Sequence, residues 1–280
     1  MPEPEIKCSR NVVPMLTVFC INGFTSTVLQ SLISPFFPNE AHSKGASSTA
    51  YTFAQSSFNL TVIFLSPWMS TIILKIGPKW VSVMGLMIEG CTAIGFGMLH
   101  HVEEGTLFIG LSTLVRIIQG FGWMGNHIST MTLGFRHYPN TFILVFSMVQ
   151  FFVGLATAIG PAIGGALYQV GGYVMPFAVI GGCLIMCAFV TSLVLPPNVR
   201  VCSATNITTN NEPGTFKIIC KSPVSILALT IELCATITAG FLMATLEPHL
   251  RQFELSPIAL GKYASIFPTN WYKCNIFDDK

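Results

Sequence analysis

Three ionisable side chains lie in the middle of long apolar stretches: Glu89, Arg116 and Glu232. A charged side chain at the centre of a membrane-spanning helix costs about 2.5–3.5 kcal/mol even on the most lenient insertion scale, so such residues are rare. A carboxyl group in a medium of low polarity can hold either a proton or a cationic ligand. These residues are therefore candidates for a site that exchanges a proton for a cation.

Each of these residues also has a structural interpretation. Glu89 and Glu232 could form an ion pair or a hydrogen bond within a helix bundle. Arg116 could fix helix geometry by donating to backbone carbonyls, and it shares one helix face with Gln119 and Gly120 at three and four positions further on. For Glu89, which matches no motif, a paired packing role is favoured over a role in coupling.

The composition is that of a membrane protein. The 280 residues are 51% hydrophobic and only 9% charged, against roughly 25% charged residues in soluble domains. The net charge of +2, without a basic run, indicates no nucleic-acid partner. The sequence holds no phosphate-binding loop, nucleophile elbow or zinc motif, so we expect no enzyme activity and no metal site.

Seven apolar windows are long enough to cross a bilayer as helices of about 20 residues. They lie at 12–36, 50–74, 79–99, 106–131, 141–168, 173–196 and 223–245. The windows predict an all-α polytopic fold in four parts: an N-terminal segment (1–11), a six-span bundle (12–196), a polar linker (197–222) and the start of a second bundle (223–280). That second bundle is expected to hold one full span and a tail too polar to finish another.

The distribution of Lys and Arg predicts the orientation, because cytoplasmic loops are enriched in them. If the N-terminus is cytoplasmic, the opposite side carries only Lys44 up to the seventh span. The cytoplasmic side would carry Lys7, Arg10, Lys75, Lys79, Arg136, Arg200, Lys217 and Lys221. We therefore predict a multi-pass protein with its N-terminus in the cytoplasm.

Small residues recur along the fifth span, notably at Gly154, Gly160, Gly164 and Gly165. In lipid, close backbone approach along such a face is a main source of helix packing energy. Pro161 removes one backbone donor and is expected to kink the helix. The face could act as a pivot or only as a packing surface. Together with Gly154, the sequence from Gly160 to Gly165 resembles the antiporter motif of the major facilitator superfamily.

Two further stretches carry the same resemblance. Arg116-Ile-Ile-Gln119-Gly120 resembles the start of an R-x-x-Q-G-x-G motif in that family's fourth span. Between the second and third spans, a stretch containing the motif residues Ser70, Lys75, Gly77 and Lys79 resembles its G-x3-D-[RK]-x-G-[RK]-[RK] loop. Here the family's Asp is Leu74, so the charge contact that this Asp usually makes is not expected. Lys75 and Lys79 would remain as cytoplasmic anchors.

The resemblance implies a fold, a mechanism and a set of sites. It implies that the first six spans form one half of a major facilitator fold, in which substrate binds midway between two halves. It implies proton-coupled antiport without a cofactor other than the proton gradient, with Arg116 and Gln119 in proton coupling. Glu232 stands where the family's amine transporters carry an acid in the seventh span.

The substrate is indicated by resemblance alone. Residues 34–41 and 165–177 are similar to the vesicular amine branch, which implies a polyamine or related organic cation and an intracellular vesicle membrane. The first span has no acid before Glu40, which argues against a monoamine. A multidrug:proton exporter is the alternative substrate class. Because the second half is expected to be incomplete, the chain could also be a non-transporting form, inert or associating with full-length copies.

Overall fold

The computed structural model describes residues 12–195 and, beyond them, only scattered positions between 223 and 237. Residues 12–195 are helical apart from short connections. The helices are α1 (Val12–Ser43), α2 (Ser48–Ile76), α3 (Pro78–Met98), α4 (Gly105–His137), α5 (Phe142–Gly171) and α6 (Val174–Val194). A short 3-10 turn, Leu99–His101, follows α3.

All six helices are long and apolar enough to cross a membrane. They confirm the all-α membrane fold and the first six predicted spans. The six helices belong to one compact unit. The seventh predicted span, the linker and Glu232 lie outside the continuously described residues.

A single glycine joins α2 to α3. Gly77 has φ of 95°, in the left-handed region that favours glycine. Its N–H donates to Ile73 O at 2.9 Å, which satisfies a carbonyl at the end of α2. Pro78 then starts α3 at a position where a missing N–H costs nothing. The chain therefore reverses direction with almost no loop.

Glycines bring α3 into backbone contact with two neighbours, α4 and α6. A Cβ on Gly85 would lie 2.5 Å from Gly122 O in α4, and a Cβ on Gly90 would lie 2.8 Å from Gly181 O in α6. Such close approach is the usual basis of helix association in lipid. Helix α2 packs on α4, whereas α1 packs mainly on α5 and secondarily on α6.

One end of the bundle, where α1, α3 and α5 end, is filled by aromatic side chains. We call it the outer end, after the orientation predicted from Lys and Arg. The ring centroids of Phe37 and Phe96 are 5.2 Å apart, and those of Phe96 and Phe177 are 5.3 Å apart. Phe37 also packs on Phe108 at 5.8 Å. All four rings are fully buried. This aromatic core leaves polar side chains to lie nearer the centre of the bundle.

Candidate functional site

Arg116 lies in the middle of α4 and is 3% exposed. Its Nη1 donates to Gln30 Oε1 of α1 at 3.1 Å and to Gln119 Oε1 at 2.9 Å. Arg116 and Gln119, which were predicted to share one helix face, thus form a direct hydrogen bond. Within the described part of the chain, the groups that accept hydrogen bonds from Arg116 are side-chain amides.

An aromatic ring supports the other side of the guanidinium. The Cζ atom of Arg116 lies 4.9 Å from the ring centroid of Phe58 in α2, a distance at which a cation is attracted to the ring face. Phe58 in turn meets the edge of Trp123, on which His127 stacks at 4.9 Å. The sequence did not reveal Phe58, because one more phenylalanine in an apolar span carries no distinguishing signal.

Glu89 lies at the centre of α3 and is completely buried. Neither carboxyl oxygen makes a hydrogen bond within the described residues. The hydroxyl of Ser26, in α1, is the polar group with which the carboxyl interacts, although its geometry falls short of a full hydrogen bond. A buried carboxyl group without a partner is an expensive arrangement, so it calls for an explanation.

A small polar network lies beside Glu89 and links three helices. Ser82 Oγ of α3 donates to Asn126 Oδ1 of α4 at 2.9 Å. Asn126 Nδ2 lies 3.5 Å from Ser26 Oγ of α1, at the long limit of a hydrogen bond. All three side chains are buried. The network holds α3 to α4 firmly and reaches α1 only weakly.

Arg116 and Glu89 do not neutralise each other. Among residues 12–195, the carboxylate that pairs with a cation is that of Glu40, which lies beside Lys44 and also contacts His100 Nδ1. The paired packing role favoured for Glu89 from the sequence is therefore not what the described residues show. Two ionisable side chains are instead buried separately inside one bundle.

The glycines of the antiporter motif have different surroundings. A Cβ on Gly160 would collide with the Ser31 hydroxyl, and one on Gly164 would collide with Leu32, both in α1. A Cβ on Gly154 would meet no atom within 4 Å. Gly160 and Gly164 are thus the positions at which α5 approaches α1, and Gly154 is not part of that contact.

Two other motif residues of α5, Pro161 and Gly165, are buried. The helix runs without interruption through Pro161, from Phe142 to Gly171. The missing N–H of this proline therefore does not divide α5 into two helices.

The loop motif is split between two environments. Ser70 and Lys75 are exposed on α2. Lys79 is instead 7% exposed, and its Nζ donates to the carbonyl oxygen of Leu195, at the C-terminal end of α6. A cation at that position also complements the helix dipole. Lys79 therefore ties α3 to α6, and among the two predicted anchors only Lys75 is exposed.

A polar cluster at the outer end was not foreseen from the sequence. Glu40 Oε1 lies 3.2 Å from Lys44 Nζ and 2.8 Å from His100 Nδ1. The His100 ring stacks on Tyr173, whose centroid is 5.7 Å away. Burial, reinforced by the nearby Glu40, raises the pKa of the Tyr173 hydroxyl well above its usual range, so the hydroxyl stays protonated.

Comparison with known proteins places these features in a family. The chain matches the model for the Major Facilitator Superfamily over residues 19–269. It is 30% identical over 251 residues to the MFS-type transporter SLC18B1 of Homo sapiens, which covers 88% of this chain and 52% of that protein. The SLC18B1 proteins of Mus musculus and Rattus norvegicus are 30% and 29% identical, over 92% of this chain in both cases.

The chain spans about half the length of these curated relatives. Its six described helices and its Arg116 and glycine motifs agree with the family match, which covers most of the 280 residues. The chain therefore belongs to the major facilitator superfamily.

Proposed function

We propose that this chain provides the N-terminal half of a proton-coupled antiporter that moves an organic cation by alternating access. The observation that carries the proposal is the pair of buried ionisable side chains, Arg116 and Glu89, which form no ion pair within residues 12–195. Ionisable residues in the interior of a membrane bundle typically mark a pathway for ions or protons.

The two groups suit an exchange mechanism because one charge is fixed and the other can change. Arg116 keeps its charge, and Gln30, Gln119 and Phe58 hold it in place. A carboxyl group can gain or lose a proton. When Glu89 is neutral, the fixed positive charge of Arg116 repels an organic cation. When Glu89 is ionised, its negative charge offsets this repulsion. The site is therefore occupied by a proton and by an organic cation in alternation.

The substrate, the membrane and the second half of the site follow from the sequence resemblance. An amine such as a polyamine, a vesicle membrane and a cytoplasmic N-terminus are proposed on that basis. Glu232 is proposed as the acid that meets the amine from the seventh span. A multidrug:proton exporter remains the second candidate for substrate class, and a non-transporting form that associates with full-length copies is the second candidate for the chain alone.

Uptake by proteoliposomes tests this function. We suggest comparing the 280-residue chain with a chimera that joins residues 1–269 to the remaining part of the Homo sapiens relative. With an acid interior, the chimera should accumulate labelled spermidine, and collapse of the gradient should abolish accumulation. Uptake of tetraphenylphosphonium in place of spermidine would support the exporter. Uptake by neither probe would contradict the proposal.

Arg116→Gln in the chimera tests whether the buried charge, on which the proposal rests, is needed for transport. Loss of the fixed charge should reduce gradient-driven uptake by about 10²-fold or more, as for other preorganised charges in reaction sites. Arg136→Gln is the matched control, because it makes the same chemical change in the last turn of the same helix, away from the buried groups. Equal loss in both variants would show that Arg116 has no special role.

A further inference from the structure

We infer that Glu89 binds the transported proton and not the organic cation, and that it exchanges this proton along the seam between α1 and the α3–α4 pair. That this proton is transported rests on the proposed function. Its geometric basis is independent of substrate, because it concerns only the surroundings of one carboxyl group.

The surroundings of Glu89 leave a proton as the only ligand of suitable size. The side chain is completely buried, and both oxygens lack hydrogen-bond partners within the described residues. An ionised carboxylate in that position would be uncompensated, whereas a protonated carboxyl group is neutral. An organic amine would need a vacant volume beside the carboxyl group and a polar path along which its charged group could enter.

Helices α4 and α6 close two sides of this position. Gly85, one turn before Glu89, meets the backbone of Gly122, and Gly90, the next residue, meets that of Gly181. These are contacts between backbones, which leave no room for a ligand of several heavy atoms. Access to Glu89 from α4 or α6 would require breaking the closest contacts of the bundle.

The side of Glu89 that faces α1 differs from the two sides closed by α4 and α6. Ser26 is the α1 group with which the carboxyl interacts, and its contact with Asn126 is at the long limit of a hydrogen bond. Helix α1 packs mainly on α5, where Gly160 receives Ser31. If α1 moves together with α5, the contact of Ser26 with Glu89 opens. The hydrogen bonds of Gln30 with Arg116 and of Asn22 with Thr191 then break, while the α3–α4 and α3–α6 contacts persist.

No other titratable group on the neighbouring helices interacts with Glu89 in the described part of the chain. On α4, Arg116 is bound to the two glutamines. On α6, Cys187 lies 3.9 Å from Thr25 of α1. The proton on Glu89 is therefore exchanged with water that enters at the seam. The carboxyl O–H bond breaks, water takes the proton to become hydronium, and the hydroxyl of Ser26 can donate to the carboxylate that remains.

Infrared difference spectroscopy of the purified 280-residue chain in lipid tests the protonation state directly. In a Glu232→Gln background, which removes the other acid of the apolar spans, we expect a C=O stretch of a protonated carboxyl group at neutral pH. The band should be lost in Glu89→Gln and retained in Glu103→Gln, which changes an exposed acid in the loop after α3. Ser26→Ala should shift the band without removing it. Absence of the band from the Glu232→Gln chain, or its persistence after Glu89→Gln is added, would overturn the inference.

The chimera separates a proton site from an amine site. Glu89→Gln should lose accumulation driven by the acid interior but retain exchange of labelled for unlabelled spermidine in the absence of a gradient. Loss of both activities in a variant that still shows the native thermal transition would place the amine on Glu89 and overturn the inference. If the unmodified chimera takes up no cation, the proposed function fails, while the infrared result still decides the state of Glu89.

Discussion

At the scale of single residues, Lys44 shows how one charged side chain closes the outer end of the bundle. Its Nζ donates to the carbonyl oxygens of Leu99, His100 and Val102, at 3.2, 2.6 and 2.6 Å. It also pairs with Glu40. Free carbonyls at the end of a helix need such a donor, and the helix dipole favours a cation there.

Lys44→Met should therefore destabilise the chain by about 1.5–3 kcal/mol, the usual range for hydrogen bonds to a charged group. The matched control is Lys75→Met, because Lys75 is exposed in the last turn of α2. Thermal unfolding in detergent, followed by tryptophan fluorescence, measures both. A loss of stability no larger for Lys44→Met than for Lys75→Met would contradict the assignment.

The sequence allowed the buried charges to be predicted but not their partners. Arg116 and Glu89 stand out because charged residues are rare in apolar spans. Gln119 follows Arg116 at helical spacing, so their contact was predictable. Phe58 and Ser26 belong to other helices and are ordinary residues for a membrane span. Their roles depend on how the helices pack, which single-helix periodicity does not contain.

At the scale of helices, the glycines of α5 divide into those that contact α1 and those that do not. Gly164 receives Leu32 and Phe36, and Gly154 has open space around its Cα. The sequence grouped both in one motif, since both are small residues in a smooth stretch. The structure separates them, because only the face at the four-residue spacing of Gly160 and Gly164 meets α1.

Gly164→Ala should accordingly weaken the α1–α5 contact by about 1–3 kcal/mol, the common cost of overpacking. Gly154→Ala should be neutral or stabilising by about 0.5–1 kcal/mol, because alanine suits a helix better than glycine. The same thermal unfolding measurement distinguishes them. Equal stabilities would mean that α1 adjusts to the added methyl group without loss of packing.

At the scale of the whole molecule, hydropathy was sufficient to predict the six described spans. Each of the first six apolar windows corresponds to one helix, and α1, α2, α4 and α5 continue past the ends of their windows, as α4 does to His137. A backbone continues to form helical hydrogen bonds through polar residues near the membrane surface, whereas a hydropathy window ends there. The order of packing, with α3 between α4 and α6, was not predictable because it depends on glycine contacts between helices distant in sequence.

The orientation predicted from Lys and Arg is open to a direct test on the whole chain. Glu103, in the outer loop, and Lys75, at the opposite end of the bundle, are both exposed. In sealed vesicles whose outer surface corresponds to the cytoplasm, a membrane-impermeant thiol reagent should label Lys75→Cys and leave Glu103→Cys unlabelled until the membrane is permeabilised. The unmodified chain gives the background from its own cysteines. The reverse pattern would place the N-terminus on the other side, and the proton that we assign to Glu89 would then be delivered from the opposite compartment.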